Sequence, residues 1–317
     1  MDHISKARWS LAGLTIVAYC IVFLLAWIAD LEIRNAGTVL QTTVLVATIL
    51  GIARMAAARP RFRAAFETSF CGLLLVIPIV IASYLAVRVG MPWADNELQA
   101  MDQALGVDWL ALLAFVDARK YLSTPLNVAY ASFAFQLLLL PLILASSGSV
   151  LRSYQVTLAY AVICFVSAAI SVWYPALGTY AIYHIDPSKL QNINGKLGVV
   201  FLDELQRAHD SSDFVFDFAR AEGIMTFPSV HAAIAALCAW AAWGTKWLRY
   251  PILILNMLMA ASAAIVSNHY AIDIVAGIGV AGLSIGLVLS FFGPAKAELH
   301  FAAGDVPSHL RAQYPPA

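Results

Sequence analysis

Charge is what this sequence has least of. Only 12% of its 317 residues are Asp, Glu, Lys or Arg, while 61% are hydrophobic and the mean hydropathy is +0.78. Soluble domains carry about 25% charged residues, so a water-covered surface over the whole chain is excluded and a bilayer is the solvent that fits. An excess of either sign is missing too: 19 Lys and Arg balance 19 Asp and Glu. Without a basic tract there is no electrostatic footprint for a nucleic-acid partner. Cysteine is scarce and scattered. Cys20, Cys71, Cys164 and Cys238 each sit alone in an apolar run, which excludes a disulfide framework and the paired spacing of a zinc site. Neither a low-complexity tract nor a clean repeat is visible.

Long apolar runs are what the chain has instead. A helix needs about 20 apolar residues to cross the hydrocarbon core. About eight runs approach that length, at 10–29, 37–57, 69–89, 126–147, 153–173, 229–248, 251–267 and 270–292. They predict an all-α fold, a polytopic integral membrane bundle of about eight transmembrane helices. The first run follows Lys6 and Arg8 as a secretory signal would. It is too long for one, and no small-x-small cleavage site follows Trp27, so it reads as an anchor that is retained. In an eight-span arrangement Lys6, Arg8, Arg54, Arg59, Arg61, Arg63, Arg152, Lys246, Arg249, Lys296 and Arg311 share one side. By the positive-inside rule that side is the cytoplasm, and both termini lie there.

Two segments outside the runs are long enough to fold. Residues 90–121 carry apolar positions at helical spacing with acids between them, which predicts a helix at the interface or a plain connector. Residues 174–228 form the largest aqueous loop. Within it Ser211 or Ser212 is placed to cap a short helix through Arg220, and Asn192–Gly198 reads as a turn. Gly282 and Gly286 make a GxxxG pair that predicts close helix packing in the last run.

Ionisable groups at a membrane edge are costly, so the few present are functional candidates. Two stretches concentrate them. Gly223–Ala233, GIMTFPSVHAA, opens the sixth run. Pro228 suits a first helical turn, where unpaired N–H groups, Ser229 and His231 then face one volume, a ready anion site. Ser267–Gly277, SNHYAIDIVAG, opens the eighth run, with His269 and Asp273 four apart and so on one helix face. If the sixth and eighth helices are neighbours, these parts suit phosphoryl transfer without a metal. One imidazole attacks phosphorus, the carboxylate stabilises the imidazolium, and the other imidazole protonates the leaving oxygen. The bland alternative has each His capping a helix or meeting headgroups.

At these residues the sequence resembles the membrane branch of the type 2 phosphatidic acid phosphatases. Pro228, Ser229 and His231 are similar to that superfamily's second signature, and His269 with Asp273 to its third. The surrounding stretches, with Tyr174 and Pro175, look like the subgroup containing inositol phosphorylceramide synthases. The resemblance implies His269 as nucleophile, Asp273 as its partner, His231 as acid and Ser229 as phosphate ligand. It is strong over about residues 170–292, faint over 100–170 and absent from the first three runs, and it implies residues 122–292 as a catalytic core that includes the outer loop 174–228. Residues 1–90 stand outside it as N-terminal transmembrane helices, 91–121 as an interfacial segment and 293–317 as a cytoplasmic tail. The implied partners are a lipid phosphate or phospholipid substrate and membrane lipids. The implied setting is the plasma membrane, a bacterial inner membrane, with the site on its outer face and no metal or cofactor. Two departures bear on the chemistry. No Lys, six residues, Arg-Pro signature follows the fifth run, and Ala263 stands where the third signature usually has Arg, although Ser262 matches its preceding Ser. Arg220 is the substitute cation, with Lys189 and Lys196 behind it. These absences point to a phosphotransferase with an alcohol or lipid acceptor, and then to a metal-independent lipid phosphatase or a non-catalytic lipid-binding protein.

Other constellations compete for the same role. Asp210, Asp213 and Asp217, beside His209, would share a face if helical and could hold Mg²⁺ on a diphosphate. His231 and His269 could bind haem axially, which would leave Ser229 and Asp273 idle. Transport is disfavoured because the polar groups gather at one membrane edge, away from the midplane. Tyr121, Asn127, Tyr130 and Gln136, at the fourth run, suit either an acceptor pocket or hydrogen bonds between helices.

Overall fold

The computed structural model describes residues 2–56 and 59–295. The tail beyond Ala295, with Lys296 and Arg311, lies outside the described residues. Among those described there are thirteen α-helices and one two-residue strand pair. Helix α1 (His3–Ile28) starts under Asp2, whose carboxylate accepts from the Ser5 N–H at 2.6 Å. After β1 (Glu32–Ile33) come α2 (Ala36–Ala56) and α3 (Pro60–Val87), the latter opening on a proline that has no N–H to satisfy. Next are α4 (Asp95–Ala104), α5 (Trp109–Asp117), α6 (Lys120–Ala131) and α7 (Phe133–Ser146). The buried helix α8 (Val150–Ser171) leads to the single turn α9 (Thr179–Ile182), α10 (Leu202–Asp210) and β2 (Val215–Phe216). The chain then closes with α11 (Val230–Ala242), α12 (Arg249–Ile265) and α13 (Ala271–Phe292).

Helix forms in each of the eight apolar runs, but among the described residues fewer helices than expected are long enough to span. Five helices, α1, α2, α3, α8 and α13, are long and apolar enough to cross a membrane, and α6 with α7 make a sixth if taken as one bent span. The bend is 58° at Ser132, whose hydroxyl donates to the Ala129 carbonyl at 2.6 Å and accepts from Gln136 at 2.9 Å. These side-chain bonds compete with the regular helix ladder. Runs six and seven form shorter helices, because the turn at Trp243–Leu248, with Gly244 and Lys246, takes up residues of the apolar stretch.

Helix α8 packs against α1, α3, α7, α11 and α13, and its polar residues Ser153, Gln155, Thr157, Ser167 and Ser171 are all buried. Helix α2, by contrast, leans on α3 with no described side chain buried. At one end, Arg8 and Arg54 converge on Glu67 at 3.1 and 3.0 Å, and Tyr154 donates to its other oxygen. That cluster joins α1, α2, α3 and α8. Toward the other end, β1 and β2 pair in parallel, Glu32 with Val215 and Ile33 with Phe216, and so tie the first connection to the long loop.

Three local expectations are corrected. Residues 90–121 form two helices and the start of a third, interrupted where Gly106 adopts φ +74°. Ser211 ends a helix and does not start one: α10 precedes it, with Asp203 and Glu204 complementing its N-terminal dipole. A Cβ added at Gly282 or Gly286 would meet nothing within 4 Å, whereas at Gly277 it would lie 2.2 Å from the Ser229 carbonyl oxygen. Gly277 is therefore the glycine that permits close approach of α11 and α13.

Candidate active site

The site is assembled where α11 and α13 begin. Ser229 caps α11, its hydroxyl oxygen accepting from the Ala232 N–H at 3.3 Å. Its own N–H donates to the Asp273 carbonyl at 3.1 Å, so the two helix starts are joined through the backbone. The preceding Phe227–Pro228 bond is cis, and the Phe227 carbonyl accepts from the Ser171 hydroxyl of α8 at 2.7 Å.

His269 Nδ1 lies 3.2 Å from Asp273 Oδ2, the same oxygen that accepts from the Tyr270 N–H at 3.0 Å. Because the carboxylate is an acceptor, Nδ1 carries the hydrogen and Nε2 keeps its lone pair. The His231 ring centroid is 6.3 Å from that of His269. His231 is stacked on Tyr130, with centroids 4.3 Å apart, and packed against Phe133 at 4.4 Å. His269 is only 4% exposed and Asp273 fully buried. The structure thus brings His231, His269, Asp273 and Ser229 together.

The other expected ligands are engaged elsewhere. Arg220 Nε pairs with Glu204 at 2.7 Å and its Nη2 with Asp203 at 3.3 Å, both on α10. Ser262 is buried and donates to the Met259 carbonyl of its own helix at 2.7 Å. Lys189 is 82% exposed beside Asp186, and Lys196 sits in the 3₁₀ turn Gly195–Gly198. The acidic triplet does not share a helix face: Asp210 ends α10, while Asp213 and Asp217 lie in turns flanking β2. Asp210 contacts His209 at 2.6 Å and Asp217 pairs with Arg34 at 3.2 Å. Among the described residues no group of three or more His, Cys, Asp or Glu is placed to hold a metal ion. Of the polar residues at the fourth run, Tyr121 is exposed, Asn127 donates to the Asn192 carbonyl at 2.9 Å, and Gln136 accepts from Asn256 at 2.7 Å. Only Tyr130 among them touches a site imidazole.

Several residues that position the site escaped the sequence reading. Asp102 of α4 accepts from the Ala271 and Ile272 N–H groups at 2.8 and 2.9 Å, satisfying the exposed donors at the start of α13. Asp95, seven residues earlier on the same helix face, accepts from the Leu177 and Gly178 N–H groups and from the Tyr270 hydroxyl, at 2.8, 2.7 and 3.0 Å. Asn268 accepts from the Tyr180 N–H at 2.6 Å and donates to the Leu177 carbonyl. Gly178 makes that contact possible, at φ +88° and with no room for a Cβ against Asn268. Trp109 and Tyr180 donate to the Ala264 and Ile265 carbonyls at 2.7 and 2.9 Å, holding the end of α12 just ahead of the His269 turn. Further out, burial opposes the charge of Asp117, yet the N–H groups of Gln191, Asn192 and Ile193 hold its carboxyl below the usual carboxylate range. The spacing of Asp95 and Asp102 was the one available signal, and by itself it also fits any solvated helix face.

A family model described as PAP2 superfamily matches residues 96–287, more than half of the chain. The matched segment runs from α4 into α13 and leaves out α1, α2 and α3. No curated protein and no solved structure matches.

Proposed function

The chain belongs to the PAP2 superfamily, and from that premise we propose that it is a membrane phosphoryl-transfer enzyme acting on lipid phosphates or phosphodiesters, with an alcohol or lipid as acceptor. The observation that carries this reading is the 3.2 Å contact of His269 with Asp273, beside the His231 ring 6.3 Å away. In the first step His269 Nε2 attacks phosphorus, an N–P bond forms and the P–O bond to the leaving group breaks. His231, protonated once the anionic phosphate is bound beside it, delivers its proton to the leaving oxygen. Asp273 stabilises the charge that develops on the His269 ring. The Ser229 hydroxyl and the N–H groups in the first turn of α11 receive the equatorial oxygens. In the second step the acceptor hydroxyl attacks phosphorus, its proton passes to His231 and the N–P bond breaks.

Support for transfer over hydrolysis comes from the phosphate-clamping cations that the chain lacks, with no Lys, six residues, Arg-Pro signature after the fifth run and Ala263 in place of an Arg. The motif surroundings, similar to the inositol phosphorylceramide synthase-like subgroup, agree with a lipid acceptor. The site then works on the outer face of a plasma membrane. To test this, purified protein in mixed lipid micelles is given labelled phospholipid with and without alcohol acceptors, and products are identified by mass. Acceptor-derived lipid is expected. Free phosphate in the presence of every acceptor would make the enzyme a phosphatase, and no turnover of any lipid phosphate would leave only lipid binding.

A further inference from the structure

We propose that the groove between α3, α7 and α8 gauges the length of the substrate's hydrocarbon chain; the inference rests on the phosphoryl-transfer reading for what stands at the groove's mouth. The cavity measures about 470 Å³ and is mostly apolar. At one end it is lined by His231, Met225 and Gly223, so it opens onto the candidate site. From there it follows α3 from Ser83 through Val76 to Thr68. At 1.5 Å per residue that stretch is roughly 22 Å long. One leaflet's hydrocarbon is about 15 Å deep, half of the roughly 30 Å core, so the groove accepts a long chain over its whole length.

The far end has a built stop. Thr68 and Thr157 line the groove there, but their hydroxyls donate to the Ala64 and Ser153 carbonyls of their own helices at 2.8 and 3.2 Å. Apart from the Ser69 hydroxyl, the lining therefore stays apolar up to Glu67, where the ion cluster with Arg8, Arg54 and Tyr154 begins. A hydrocarbon chain gains nothing by entering that cluster and would have to separate its charges. Just before the stop, Gly72 leaves the passage open; a Cβ added there would make ordinary contact with Thr157 Cγ2 at 3.7 Å, and a longer side chain would cross the groove. Helix α3 lies outside residues 96–287, so this assigns a selective role to a part of the chain that the family match does not cover.

Two measurements test the gauge. In the first, kcat/KM is compared for a short-chain and a long-chain lipid phosphate across wild type, Gly72→Ala and Gly72→Leu. Gly72→Leu is expected to lower the long-chain value about tenfold to a hundredfold, because a chain turned out of the groove misplaces its phosphate at His269. The short-chain value and both values for Gly72→Ala are expected to hold. In the second, a long-chain lipid phosphate with a diazirine at its chain end is photolysed with wild type. Label is expected on the Thr68–Gly72 stretch, moving to Val80 or Met225 when the diazirine is placed near the headgroup. Because labelling needs no turnover, ordered labels without catalysis would refute the transfer reading and keep the gauge. Labels spread over exposed residues such as Leu45 whatever the diazirine position would overturn it. So would equal loss for both chain lengths in a folded Gly72→Leu protein.

Discussion

His231 and His269 are the same side chain in two settings, and the proposed mechanism gives the two settings different work. His269 has Asp273 behind Nδ1, whereas His231 is sandwiched by Tyr130 and Phe133. His269→Ala should lower the rate by on the order of a thousandfold or more, since the covalent route disappears. Asp273→Asn should cost on the order of a hundred to ten thousandfold. Its carbonyl oxygen can still accept from both Tyr270 N–H and His269, so orientation survives while the stabilising charge is lost. His231→Ala should be rescued in part by a nitrophenyl ester, whose leaving group needs no proton, and His269→Ala should not be. Steady-state rates with alkyl and nitrophenyl esters check all three, and equal rescue of both His variants would contradict the division of roles.

Helices and loops are held by groups whose partners are far away in sequence. Glu67 joins four helices, so Glu67→Ala leaves two partly exposed arginines without a counter-charge and Tyr154 without its acceptor, and should destabilise by about 1–3 kcal/mol. Arg8→Ala should cost less because Arg54 remains at 3.0 Å; thermal unfolding in detergent measures both. Asp117 anchors the loop 191–193, and its folded pKa is lowered, so its contribution is fully present above the usual carboxylate range. It is lost as pH falls through the lowered folded value. The stability gap between wild type and Asp117→Asn should therefore be present at neutral pH and close in acid, as followed by unfolding across pH. The same distances explain what could be read in advance. Apolar runs of helical length located the five long apolar helices, the bent pair α6 and α7 and the shorter α11 and α12, though not which of them are long enough to span, and a four-residue spacing paired His269 with Asp273. Local pattern has no access to Asp102 meeting Ala271 or Trp109 meeting Ala264, 169 and 155 residues apart. Nor does it show the Ser132 bend, which depends on a hydroxyl turning back on its own helix.

For the whole molecule, the basic connections at 54–63 and 246–249 should anchor the Glu67 end in the cytoplasm and leave the site at the opposite surface. Single cysteines at Ser211 and Arg61, in a background without Cys20, Cys71, Cys164 and Cys238, test this with an impermeant thiol reagent on intact cells. Labelling at 211 and not at 61 is expected, and the reverse pattern would invert the protein. This orientation matters to function because it decides which leaflet supplies the chain that enters the groove along α3.

The most direct test of phosphoryl transfer through His269 is the mass of the protein itself, quenched in base during turnover of a lipid phosphate. A phosphoryl-bearing adduct, stable in base and lost in acid, should sit on the peptide containing His269 and be missing from His269→Ala. Turnover with no adduct on wild type, or an adduct that persists in His269→Ala, would contradict the account.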